Sequence, residues 1–204
     1  MWNGSIIVYM VKQKMTKKNT IIFITGNSGK FLVAQKALKG SGYSLVQKKL
    51  EVPEIQSQKI EEIASFSAKW AAEKLDNTVV VTDVGYYIEA LNGFPGPFVK
   101  FVNQWLSPEH ILKIMSGIEN RGVIVKDCLA FCQPGLKPVC FLGISKGTIS
   151  TKAGRKRGSA MDRLFIPDNF NKPQSEISQK QMFVFWSKNQ KWLKLIDYLK
   201  NKLK

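Results

Sequence analysis

One histidine, His110, and three cysteines, Cys128, Cys132 and Cys140, are all that 204 residues offer a soft metal, and the cysteines lack CxxC spacing. A structural zinc site is not expected. An odd number of thiols near strand-like stretches reads instead as buried free cysteines in a reducing compartment, so the expected location is cytoplasmic. His110 follows Ser107, Pro108 and Glu109 at a helix start, where a solvent-facing side chain is expected. Long apolar runs are missing too. Those from Ile6 to Val11 and from Ile21 to Ile24 fall far short of the roughly 20 residues that span a bilayer, and no membrane partner is expected. Residues 1–19 lack a cleavage site and the Arg and Ser enrichment of a presequence; they read as a disordered N-terminal extension ahead of a single domain, 20–204.

Acidic residues are scarce. Thirty-one Lys and Arg face 15 Asp and Glu, giving a net charge of +16, which favours a polyanionic partner. Charge alone does not separate a nucleotide from a nucleic acid. Most of the lysines are spread along the chain as a solvated surface would be, and only KAGRKRG, 152–158, is a local basic knot. Hydrophobic residues, at 44%, suffice for a sizeable core.

What is present is an alternation of strand and helix patterns without repeats or low-complexity tracts. NTIIFITGN reads as a buried strand entering a loop, followed by a helix from about Lys30 to Lys39 that Gly40 and Gly42 end. YSLVQKKLEV alternates as a strand, and Lys59 to Leu75 places Ile60, Ile63, Ala64, Ala68, Ala71 and Leu75 on one helical face. NTVVVTDVG is a second β-branched run, expected to stop at its acidic residue and deliver it to a site at the strand end. NGFPGP is a turn, and Ser107 is placed to cap the helix that follows. From Val123 to Ser150 the pattern predicts three strands separated by Pro-Gly, Lys-Pro and Lys-Gly turns, and Trp192, Leu195, Leu199 and Leu203 mark a C-terminal amphipathic helix with a lysine-rich outer face. Together these predict an α/β fold: a mixed β-sheet flanked by helices, with a cleft between the alternating part and the meander.

ITGNSGKF, 24–31, looks like a phosphate loop but is not of the GxxxxGK[ST] kind. Ile24 stands where the first glycine belongs and Phe31 where a magnesium-binding hydroxyl belongs. It keeps the ingredients of anion binding: a strand end, small residues, a lysine and a helix N-terminus.

Four stretches in order resemble the inosine triphosphate pyrophosphatases, the noncanonical purine NTP pyrophosphatases. They are ITGNSGK (24–30), LEVPEIQ (50–56), VVVTDVGYYIEALNGFPGPFVKFV (79–102) and, more weakly, MDRLFIPDNFNK (161–172). The resemblance runs from about residue 20 onward. It implies a two-lobed mixed sheet with the nucleotide cleft between the lobes, a homodimer, and hydrolysis of a nucleoside triphosphate to the monophosphate and pyrophosphate in nucleotide-pool house-cleaning. On the matching positions, Thr25, Gly26, Asn27, Lys30 and Lys100 are implied as triphosphate-binding. Glu54 and Asp83 are implied as ligands of Mg2+, with Asp83 and Lys30 nearest the chemistry. Oxygen-rich magnesium sites need only one or two carboxylates, so this set is chemically sufficient.

The chain departs from the family in two places. Thr82-Asp83 stands where two adjacent acidic residues are usual. In the base pocket, Ser159-Ala160-Met161-Asp162-Arg163 replaces an aromatic-rich run, and Trp186-Ser187-Lys188 aligns with Ser-His-Arg. Asp162, Ser187 and Lys188 are therefore the implied base-binding residues, with weakened discrimination against 6-amino purines. Phe183, Phe185 and Trp186 offer an aromatic surface that is either a stacking platform or core. The alternative reading is a catalytically weak relative that binds nucleotides or nucleic acid through its basic surface, which the +16 charge and Thr82 favour.

Overall fold

The β-branched run that reaches Thr82-Asp83 continues as a strand well past it. The computed structural model describes residues 19–202; the expected N-terminal extension, apart from Asn19, and Leu203 lie outside the described residues. Strands β1 (Thr20–Ile24) and β2 (Ser44–Lys48) pair in parallel along their whole length. β1 meets β3 (Val79–Ile88) only through Ile22 opposite Val79 and Phe23 opposite Val80. The parallel part of the sheet thus ends just before Thr82, but β3 does not. A short strand β4 (Pro95–Gly96) pairs with its far end, and β5 (Gly122–Cys132) pairs antiparallel with all of it, from Val79 opposite Cys132 to Ile88 opposite Val123.

β6 (Val139–Ile149) and β7 (Phe165–Pro167) complete the sheet, whose order is β2-β1-β3-β5-β6-β7. The region from Val123 to Ser150 is two long strands rather than the three expected. Lys146-Gly147 does not turn the chain: a Cβ on Gly147 would run into the Ile166 carbonyl and the Phe165 ring, so the glycine lets β7 lie against β6.

Helix α1 (Ser28–Leu38) begins two residues before Lys30 because Asn27 caps it, its Oδ1 accepting from the Lys30 N–H at 3.0 Å. It ends where Gly40 takes φ +83°. Helix α2 (Ile60–Leu75) packs Ala64, Ala68, Ala71 and Ala72, all fully buried, onto the sheet, small side chains that let its axis come close. Then come α3 (Val99–Trp105) and α4 (Pro108–Ile114). Ser107 caps α4, while His110 Nδ1 accepts from the Ser107 N–H at 3.2 Å, so the exposed histidine serves a helix end. α5 (Gln179–Ser187) and α6 (Gln190–Lys202) close the fold. The cysteines are free thiols, Cys128 and Cys132 buried and Cys140 half-buried.

Three cores hold these layers together. On one face of the parallel end, α1 and α6 cover Phe23, Val80, Leu129 and Phe141, with Trp192, Leu195 and Leu199 inserted from α6. On the other face, α2 covers Val79, Val81, Cys128 and Ala130. At the far ends of β3 and β5, Tyr86, Ile88, Val123 and Val125 join Val99, Val102, Ile111 and Phe165. Each large apolar side chain buried in this way contributes about 1.5–3 kcal/mol. The first and third cores lie on the same sheet face, and neither includes Thr82 or Asp127, the positions between them.

Candidate active site

The loop from Thr25 to Lys30 is held open by its own polar groups. Thr25 Oγ1 accepts from the Asn27 N–H at 3.1 Å, Gln47 Nε2 donates to the Thr25 carbonyl at 3.1 Å, and Asn27 caps α1. The residues from Gly26 to Lys30 are exposed, so the first turn of α1 presents free N–H groups and the Lys30 ammonium to an incoming anion.

Asp83 sits one residue past Thr82, beyond the reach of β1. Burial pushes its carboxyl up, the Lys30 charge and the Val84 N–H oppose this, and the charges of Asp127 and Glu54 push it further up. Its Oδ1 accepts from the Val84 N–H at 2.9 Å. Glu54, in the stretch between β2 and α2, is exposed and accepts from Lys100 Nζ of α3 at 2.5 Å. Lys30, Glu54, Asp83 and Lys100 are thus linked by charge or by contact, although they come from four separate parts of the chain. Among the described residues no group of three or more His, Cys, Asp and Glu side chains gathers as a ready-made metal cluster.

A cavity of about 800 Å³ opens on the Thr82 side of β3. Thr82, Val84 and Tyr86 of β3 and Asp127 of β5 form its floor, Asn27 to Lys30 one wall, and Met182, Phe183 and Trp186 of α5 another. This is the seam between the two cores on that face. It stays open because the parity that buries Val125 and Leu129 puts the carboxylate of Asp127 between them. That charge is paired with Lys191 of α6, which also lines the cavity.

Residues 21–188 match the description of the Ham1 family. The chain belongs to the Ham1 family. Among its relatives are the dITP/XTP pyrophosphatase of Methanopyrus kandleri, 37% identical over 161 residues that cover 79% of this chain and 86% of that one, and the dITP/XTP pyrophosphatase of Thermococcus kodakarensis, 31% identical over 184 residues that cover 90% and 99%. The fold agrees with two solved Ham1 proteins. That of Staphylococcus aureus superposes with a TM-score of 0.73 at 21% identity, covering 90% of this chain and 99% of that one. That of Coxiella burnetii does so with 0.75 at 20%, covering 89% and 98%.

In this Ham1 chain the three residues taken from the resemblance as base-binding are not together. Asp162 lines the cavity, but its carboxylate is occupied: Oδ2 accepts from the Ser159 N–H at 2.7 Å and Oδ1 from Gln174 Nε2 at 2.7 Å. Gly158, at φ +82°, leaves room for it, since a Cβ there would lie 2.5 Å from Oδ2. Ser187 is buried and donates to the Val184 carbonyl, and Lys188 is exposed at the C-terminus of α5; neither lines the cavity. Of the aromatic trio, Phe183 and Trp186 line the cavity, while Phe185 packs edge-on against Phe170. Asp127 and Lys191 are the residues the sequence reading missed. Both carried a signal: an acid at an inward position of an apolar strand, and a lysine four residues before buried Leu195, hence on the apolar face of the last helix rather than its lysine-rich outer face.

Proposed function

We propose that this chain hydrolyses noncanonical purine nucleoside triphosphates between the α and β phosphates, releasing the nucleoside monophosphate and pyrophosphate. The observation that carries the reading is that the charges of Lys30 and Glu54 both act on the Asp83 carboxyl, with Glu54 itself paired to Lys100, while Lys30 also lines the cavity at the exposed N-terminal turn of α1. The naming of relatives at 31% and 37% identity as dITP/XTP pyrophosphatases supports it. The same naming disfavours the alternative of an inactive nucleic-acid binder.

Magnesium belongs to this reading. Glu54 and Asp83 are hard oxygen donors whose charges already act on one another, an arrangement a divalent cation relieves, and water and phosphate oxygens complete such a shell. These two residues would hold it, and when bound it would neutralise phosphate charge and make water a better nucleophile. The chain's own residues supply the rest. The Lys30 ammonium and the N–H groups of Ser28 and Gly29 bind the phosphates, and Lys100, held on Glu54, adds a second cation at the rim. Asp83 takes the proton of the attacking water. Thr82 leaves the neighbouring position without a carboxylate, so the rate rests on Asp83. Trp186 and Phe183 offer rings to a purine.

The homodimer implied by the resemblance is part of the reading. Trp105 on α3, 72% exposed, and Ile114 on α4 are the apolar side chains such an interface would cover. Product identity tests the chemistry. ITP incubated with the protein and magnesium yields IMP and pyrophosphate by phosphorus NMR; IDP and inorganic phosphate as products would refute cleavage at the α–β bond.

A further inference from the structure

The ion pair of Asp127 and Lys191 is too costly and too well built to be left as a surface accident. Their side chains are 12% and 6% exposed. Taking both charges out of water is unfavourable, and an apolar pair of similar size commonly holds a core as well or better. The surroundings are nevertheless arranged for it. Asp127 is the charged member of the inward row Val123, Val125, Asp127, Leu129 and Phe131. Across from it β6 carries Gly143, and the side chain of Asn189 fills the space a Cβ would occupy there. Asn189 Oδ1 in turn accepts from the Lys191 N–H at 3.1 Å, fixing the first turn of α6 over the sheet. That turn has no acidic residue, so the helix's positive end adds to the lysine's charge.

The pair also sits where an anion is expected. Lys191 and Asp127 line the same cavity as Asn27, Gly29, Lys30 and Thr82. Burial lowers the proton affinity of Lys191, Asp127 opposes this by charge and hydrogen bond, and the charge of Lys30 lowers it further.

We propose that Lys191 is a further phosphate-contacting residue of the nucleotide site, and that Asp127 is the positioning residue that keeps it charged and aimed into the cavity. The inference rests on the proposed function. A triphosphate lying on the α1 N-terminus carries more negative charge than Lys30 and the loop neutralise, and Lys191 is the buried cation beside them. An ammonium has three N–H donors, so one stays on Asp127 while another reaches a phosphate oxygen. With the cavity empty, Asp127 offsets the repulsion between the two lysines.

The double variant Asp127→Leu, Lys191→Met separates a binding role from a structural one, because it leaves net charge unchanged and strands no buried charge. Pyrophosphate, which has neither base nor sugar, is the probe, titrated calorimetrically alongside ITP turnover. The double variant is expected to melt at or above the wild-type temperature, to bind pyrophosphate about tenfold or more weakly, and to show a KM for ITP raised more than kcat is lowered. Wild-type pyrophosphate affinity and KM in the folded double variant would overturn the inference alone. A wild-type protein that neither binds pyrophosphate nor hydrolyses any nucleotide would overturn it together with the proposed function. A second measurement needs no folded variant: in the wild type the Lys191 ammonium resonance moves on adding pyrophosphate, and an unmoved resonance at saturation contradicts the contact.

Discussion

At the scale of single residues, Asp83 is where stability and activity pull in opposite directions. Its native proton affinity is raised, so the folded state holds that proton more tightly than the unfolded chain. Stability therefore falls as pH rises through the aspartate range, and the cost of the ionised carboxylate is fully present above the native pKa. Asp83→Asn removes it. The variant is expected to melt above wild type at pH 7 without magnesium, with the gap closing as pH drops below the ordinary aspartate range. A scanning-calorimetry series across pH checks this, and an unchanged melting temperature at pH 7 contradicts it. Trp186→Ala tests the cavity's aromatic wall: loss of a stacked base is worth about 1–3 kcal/mol, so KM for ITP should rise about tenfold or more with kcat little changed. A KM within twofold of wild type would remove Trp186 from the base site. Lys30, Glu54, Asp83 and Lys100 are proposed from the sequence because each lies in a motif with fixed order. Asp127 and Lys191 are not, because each is explained only by the other and they lie 64 positions apart by residue number.

The elements show which local rules held and which the tertiary structure overrode. The glycine at the end of α1, the buried face of α2 and the serine before α4 all follow from neighbouring residues and occur as the patterns suggest, whereas the cap at Asn27 starts α1 two residues ahead of the expected Lys30. β3 and β6 did not end where their sequences suggested. Asp83 was tolerated inside a strand because β5 continues to supply hydrogen bonds after β1 has stopped. Gly147 was needed for close approach, not for a turn. Gly147→Ala should consequently strike the Ile166 carbonyl and loosen β7, costing about 1–3 kcal/mol in urea denaturation. A stability equal to wild type would mean that β7 does not pack there as described.

For the whole molecule, the mixed sheet with helices on both faces was readable from the order of periodic segments, and the place of the cleft followed from the change of pairing direction along β3. The cavity itself was not readable, since it arises where two cores on one face fail to meet. Part of the +16 charge lines the cavity as Lys30 and Lys191, while most lysines remain on the surface. The proposed dimer has its own check. Trp105→Glu should sediment as a monomer where wild type sediments as a dimer, and a monomeric wild type would rule the dimer out.

Pyrophosphate release from ITP, XTP, dITP, ATP and GTP, with and without magnesium, in wild type beside Asp83→Asn, tests the central claim most directly. Release should depend on magnesium, favour ITP, XTP and dITP, and fall at least about 100-fold in the variant. Absence of release from every nucleotide, or equal release by Asp83→Asn, would contradict it.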